Sequence, residues 1–193
     1  MVDENFNDSV VEWPSKSLTE IPYDLFTSKA QYNLENEAIF KGPAWNYLCL
    51  DVEIPNPGDY VVSHIGETSI IVARNEQGEI KAMVNRCAHR GAQLCQKRSG
   101  TTRKFSCIYH AWSYDLDGNL TNVAFSKGIK NQGGMPDDFK KEDHPLRSVK
   151  VTEFSGLIFG SFDDAVPDIE TYLGAEVSAK VKRVLNRRVK VIG

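Results

Sequence analysis

A chain of 193 residues with 41% hydrophobic content fits a single domain with enough apolar side chains to build a core. A formal charge of −3 and a pI near 5.8 give no basic field, which excludes a global preference for nucleic acid or an anionic membrane and leaves another protein as the expected charged partner. The N-terminus lacks a basic segment followed by an apolar one, and no run approaches about eighteen apolar residues, so a secretion signal and a membrane span are not expected and a cytoplasmic setting is.

Residues 1–26 are polar and punctuated by Pro14 and Pro22, which predicts an extended surface arm. Thr27 or Ser28 can cap a short helix over 27–40, where Tyr32, Leu34, Ala38 and Ile39 loosely follow the helical period and Gly42-Pro43 ends it. Packing of that face against a sheet is its expected role, although the same face could touch a neighbouring subunit. Residues 45–52 read as a strand in which Cys49 is a small buried thiol. A Pro-Asn-Pro-Gly turn follows, and then three segments at 60–65, 69–73 and 80–84 have the β-branched, alternating character of strands, with a turn at 75–78 between the last two.

The last of these strands delivers the first of two short boxes, Cys87-Ala-His89 and Cys107-Ile-Tyr-His110, each pairing one cysteine with one histidine. The residues between them suffice for a ribbon that brings the second box back beside the first. A binuclear centre with two thiolates on one iron and two imidazoles on the other requires each loop to reach both irons, which one Cys and one His per loop achieves. A structural zinc ribbon also accepts two Cys and two His, but such sites usually pair like ligands in their boxes. That alternative would be a redox-inert binding module, and colour separates the two, since only the ferric-sulfide protein is red-brown.

Beyond the second box, 112–116 and 120–123 flank Asp117-Gly118-Asn119, a strong hairpin signal. Residues 126–145 carry Gly128, Gly133, Gly134, Pro136 and Pro145 and predict a long irregular excursion over the surface. An alternating segment at 148–152 and an apolar run at 156–162 form an expected last hairpin, with the core ending near Phe162. From Asp168 the pattern turns helical and then basic, through Lys180, Lys182, Arg183, Arg187, Arg188 and Lys190, a run expected to be a solvated face.

The spacing C-x-H-x17-C-x-x-H, read as Cys87, His89, Cys107 and His110, resembles the Rieske [2Fe-2S] signature of aromatic-ring-hydroxylating oxygenases. The segments Ile54-Pro-Asn-Pro-Gly58-Asp, Gly133-Gly-Met-Pro-Asp-Asp-Phe139 and Arg187-Arg-Val-Lys-Val-Ile-Gly193 extend that resemblance to large (alpha) subunits of the salicylate-hydroxylase and anthranilate-dioxygenase kind. The expected fold is all-β: an antiparallel sandwich or partly closed barrel with a small two-loop subdomain that binds the iron–sulfur cluster, plus the short N-terminal helix. The expected divisions are an arm and helix over 1–42, a Rieske domain over 43–165 with its cluster subdomain at about 85–123, and from 166 to 193 the start of a linker toward a catalytic domain absent from this sequence.

The resemblance implies that Cys87, His89, Cys107 and His110 are the metal ligands and that Arg90, Tyr109, Trp112 and Tyr114 stand around them. Respiratory members of the family carry a disulfide beside the cluster; here Tyr109 occupies the place of one partner, so Cys95 is expected to be free. Trp112 occupies the place of a serine that donates to a bridging sulfide in that branch, while Tyr114 stands where a tyrosine donor would be. A low reduction potential is therefore expected, with one potential-raising contact retained. The family implies electrons arriving from a ferredoxin or ferredoxin reductase, a mononuclear Fe(II) held by two His and a carboxylate in the catalytic domain, a small beta subunit as a candidate partner, and a trimer of large subunits. His64 and His144, the histidines outside the two boxes, form no such triad and are expected to be structural, and aromatic substrate and oxygen would bind outside this chain. A free-standing Rieske ferredoxin is the alternative.

Overall fold

Where β-branched residues are densest, strands form: β1 (Asn46–Leu50), β2 (Asp59–Ile65), β3 (Thr68–Arg74) and β4 (Ile80–Val84). The structure, a computed structural model, describes residues 9–13, 19–130 and 132–185. The remaining strands are β5 (Ser99–Thr101), β6 (Phe105–Ser106), β7 (Ser113–Tyr114), β8 (Leu120–Asn122), β9 (Ser148–Phe154) and β10 (Leu157–Ser161). They make an antiparallel seven-stranded sheet in the order β1-β10-β9-β4-β3-β2-β5 and a separate three-stranded sheet in the order β6-β7-β8. The larger sheet curls until β2 meets its far edge, where Ser63 Oγ donates to the Leu48 carbonyl at 2.7 Å. This is the partly closed all-β architecture that the alternation predicts.

Strand β3 is the wall between two cores. Its Ile70 and Val72 face a core with Leu48, Ile65, Val149 and Ile158, whereas Ile71 and Ala73 face the other way, onto Met83, Cys87, Cys107, Trp112 and Tyr114. Period-two alternation thus places one apolar face inside the barrel and the other beneath the two boxes. Asn75, itself buried, donates through Nδ2 to Asp117 at 2.9 Å and so ties the β3–β4 turn to the β7–β8 hairpin.

Gly160 on β10 has no room for a side chain: a Cβ there would lie 2.7 Å from Leu48 Cδ1 and 3.1 Å from Val149 Cγ1. Gly160→Val forces the barrel core apart, and the expected cost is about 1–3 kcal/mol. Denaturant titration of the variant checks this, and an unchanged midpoint would contradict the packing described.

Several expectations need correction. Ser28 does cap α1 (Lys29–Glu35), accepting from Gln31 N at 3.1 Å, and a π-helical turn continues over Asn36–Phe40. However, Tyr32, Leu34, Ala38 and Ile39 are all exposed rather than packed on a sheet, because their loose spacing gives no continuous stripe; the buried residues of this segment are Ser28 and Asn36. The arm is not wholly extended, since Tyr23–Phe26 form a 3₁₀ turn and Ser28 Oγ donates to the Ser9 carbonyl at 2.7 Å. The core also continues past Phe162. Val166 and Ile169 pack on Trp45 and Phe154, with Leu173 and Val181 of α2 (Ile169–Leu185) half-buried against them. That helix is broken at Gly174, where φ is 72°. Arg187, Arg188 and Lys190 lie outside the described residues. Among the described residues, no helix is long and apolar enough to cross a membrane.

Candidate metal centre

The first box leaves β4 and the second joins β6 to β7, and the two loops close in the same way. In the first, Gly91 N–H donates to Cys87 O at 2.9 Å and Cys87 N–H to Ala92 O at 2.8 Å. In the second, Ala111 N–H donates to Cys107 O at 3.0 Å and Cys107 N–H to Trp112 O at 2.8 Å. Each loop needs a left-handed residue four places after its cysteine, supplied by Gly91 at φ 71° and by Ala111 at φ 56°. The equivalence explains how unlike sequences present a like Cys–His pair. One buried cysteine is pinned at its backbone, and a histidine stands at the tip of the turn.

Cys87 and Cys107 are buried, free thiols, and the rings of His89 and His110 meet edge-to-face with centroids 4.6 Å apart. The Nδ1 atoms of both imidazoles are buried and have no hydrogen-bond partner. A buried polar atom without a partner is costly, so two of them together beside two thiols fit a group that accepts ring-nitrogen and sulfur ligands at once. Burial above all, then His110 and Arg90, holds the His89 pKa below the usual histidine value, which favours the neutral, ligating imidazole.

Around these residues, Tyr114 is fully buried, and its hydroxyl accepts from Ala88 N–H at 3.1 Å while lying 3.3 Å from Cys87 Sγ. With the backbone donor already present, the hydroxyl proton is directed at the sulfur. Burial first, then the bond to Cys87, raises the Tyr114 pKa, so the donor proton stays in place. Trp112, buried, stacks on His89 with centroids 4.8 Å apart and planes at 10°. Tyr109 is exposed and leans on His110 at 3.9 Å, and Arg90 is exposed beside His89. Cys49 and Cys95 are buried thiols whose pKa values burial pushes up to about 12, so both stay protonated. Cys95 carries no disulfide.

Three residues were not legible as part of the site. Asn85 fastens the first loop, Phe139 packs against the core from the excursion at 126–145, and His144, expected to be merely structural, reaches Trp112 with centroids 5.6 Å apart. His64 stands apart on β2, exposed. Phe139 and His144 carry no signal of periodicity, and only the fold of their loop brings them to the site.

An all-β scaffold whose two loops each present one cysteine and one histidine defines a Rieske-type iron–sulfur module. Residues 44–132 match the Rieske [2Fe-2S] domain family. It is 48% identical over 186 residues to the terephthalate 1,2-dioxygenase terminal oxygenase component subunit alpha 2 of Comamonas sp., covering 96% of this chain and 45% of that one. To the anthranilate 1,2-dioxygenase large subunit of Burkholderia cepacia it is 42% identical, covering 96% of this chain and 44% of the relative. The crystal structure of naphthalene 1,2-dioxygenase from Rhodococcus sp. bound to indole superposes with a TM-score of 0.76 at 38% identity, over 84% of this chain and 36% of that one. The chain therefore spans less than half the length of these relatives.

Replacing Tyr114 with Phe removes the donor aimed at Cys87 Sγ and keeps the ring. Because the bond favours the more negative, reduced state, the expected result is a lower potential, by about 40 mV for a one-electron couple if the bond is worth about 1 kcal/mol. Redox titration of the wild type and the variant checks it.

Proposed function

We propose that the chain is a one-electron relay in which Cys87 and Cys107 hold one iron and His89 and His110 the other iron of a [2Fe-2S] centre. The observation that carries this reading is the pair of buried, unpartnered imidazole Nδ1 atoms beside two buried thiols. When bound, such a centre takes up and releases one electron. The surrounding residues have separate tasks. Trp112 excludes water from one face of His89, Tyr114 directs a proton at Cys87 Sγ, and the half-exposed His89 and His110 edges give electrons a short route to a partner.

The electrons come from a ferredoxin or ferredoxin reductase and pass to a mononuclear iron in the catalytic domain of a ring-hydroxylating oxygenase. This rests on relatives that are large subunits of multicomponent dioxygenases. Their names, terephthalate and anthranilate dioxygenase, favour an aromatic carboxylate as the substrate of the parent enzyme. A trimer of large subunits, with a small beta subunit, is the proposed assembly. Iron and sulfide analysis with low-temperature electron paramagnetic resonance tests the reading. About two iron and two sulfide per chain, with the spectrum of a mixed His/Cys centre, are expected. Stoichiometric zinc without iron, in aerobic and anaerobic preparations alike, would sink it.

A further inference from the structure

We propose that Phe139 and His144 are positioning residues for the cluster, holding Trp112 flat against His89 and so setting the reduction potential. The proposal rests on the iron–sulfur reading above. His144 and Phe139 stack on each other with centroids 4.8 Å apart and planes at 12°. Both meet Trp112 nearly at right angles, Phe139 at 5.7 Å and 70°, His144 at 5.6 Å and 69°. The indole is therefore bounded by the stacked pair on one side and by the His89 ring, 4.8 Å away, on another. Edge-to-face contacts are favourable in this geometry because the positive edge of one ring meets the negative face of the next.

The pair is anchored, which a positioning device requires. Within 126–145, Met135 N–H donates to Ser126 O at 2.9 Å and Phe139 N–H to Pro136 O at 3.0 Å. Lys141 Nζ donates to Thr121 O at 2.9 Å, and Leu146 N–H to Gly118 O at 2.8 Å, so the segment is fastened to the same β7–β8 hairpin that follows Trp112. Phe139 packs against the core that contains Cys87 and Cys107. An excursion with no regular pattern thus forms a wall behind the buried indole that covers His89.

The consequence is electrostatic. Reduction adds one electron and one unit of negative charge to the centre, and an indole in place of water disfavours that charge. If Trp112 tips away, water reaches the stacked face of His89, the reduced state is better solvated and the potential rises. What matters at position 144 is a flat ring, because the contacts described are made by the ring rather than by a ring nitrogen.

The test is a redox titration of the purified chain with dithionite as electron donor, followed by electron paramagnetic resonance, on the wild type, His144→Ala, His144→Phe, Phe139→Leu and the control Asp138→Ala, an exposed neighbour. His144→Ala and Phe139→Leu are expected to favour reduction by three- to tenfold, the upper end being about 59 mV for a one-electron couple. His144→Phe is expected to keep the wild-type potential and spectrum. Potentials of His144→Ala and Phe139→Leu equal to that of the control would overturn the proposal, as would a His144→Phe shift as large as that of His144→Ala. If His144→Ala fails to retain iron, the other two decide: a shifted Phe139→Leu beside an unshifted His144→Phe upholds the proposal, and two unshifted variants overturn it. A wild-type chain with neither iron nor signal would instead remove the iron–sulfur reading and this proposal with it, an outcome distinct from a set of variants that all keep the centre.

Discussion

Cys107→Ser yields a chain that retains almost no iron and loses both its visible colour and its electron resonance signal. The hydroxyl is a poor, rarely ionised substitute for a thiolate, and the soft sulfur is what an iron–sulfur centre selects. The loop itself need not collapse. Its closure depends on Cys107 N–H to Trp112 O at 2.8 Å and Ala111 N–H to Cys107 O at 3.0 Å, backbone bonds that serine keeps. The loss therefore reports ligation rather than misfolding, and circular dichroism of the variant should still show the sheet. Cys87→Ser is expected to behave alike, whereas Cys95→Ser keeps the centre, because Cys95 is a protonated thiol with its pKa raised to about 12 by burial. His89→Cys and His110→Cys exchange a neutral ligand for an anionic one. Any centre that still assembles there is harder to reduce, with a lower potential. Iron and sulfide content across the series checks the whole pattern, and a Cys107→Ser chain with full iron and an unchanged spectrum would show that the thiols are wrongly paired.

Much of the architecture is written in local chemistry. Alternation and β-branched content predict the four strands before the first box within a residue or two, and Asp117-Gly118-Asn119 predicts the β7–β8 hairpin, because in each case the signal lies in adjacent residues. Ligand spacing makes the boxes legible for the same reason. Strands β5 and β6 escape this reading. Ser99–Thr101 is short, polar and fully exposed, and it becomes a strand only because Asp59, Tyr60 and Val61 of β2 offer an unpaired edge. The packing of α2 on Trp45 and Phe154 and the approach of His144 to Trp112 are equally non-local. The sites those residues reach are more than a hundred residues away for Trp45 and more than thirty for Trp112, and no periodicity in 126–145 encodes the encounter. Contacts of that kind come from closure of the whole sheet, which a window of sequence does not contain.

Asn85→Ala is the substitution outside the four proposed ligands expected to weaken the site most. The Asn85 amide is buried at 3% exposure and uses its full hydrogen-bonding capacity, two donors and two acceptors. Its Oδ1 accepts from Leu94 N–H at 3.1 Å and Cys95 N–H at 2.8 Å. Its Nδ2 donates to Cys95 O at 3.0 Å and Ser69 Oγ at 3.2 Å. Those bonds clasp residues 94–95 to the start of the loop that carries Cys87 and His89, while Asn85 N–H fixes the same point to Ser69 O on β3 at 2.9 Å. Alanine leaves two backbone N–H groups without side-chain partners in a buried place, while the Cys95 carbonyl keeps only the Gln93 Nε2 donor at 3.0 Å. At about 1–3 kcal/mol for each such group, offset by whatever water can enter the space, the net loss is on the order of 3–5 kcal/mol. Asn85→Asp separates the terms, since it keeps the acceptor, loses both donors and buries a charge, so it too is expected to destabilise strongly. Denaturant titration of the iron-loaded chains, followed in parallel by visible absorbance and far-ultraviolet circular dichroism, measures both effects. In the wild type the two signals should be lost together. In Asn85→Ala the colour should bleach at lower denaturant than the sheet melts, because the clasp serves one loop and the barrel core of Ile70, Val72 and Ile158 does not depend on it. Coincident transitions at the wild-type midpoint would mean that the first loop is held by its ligands alone.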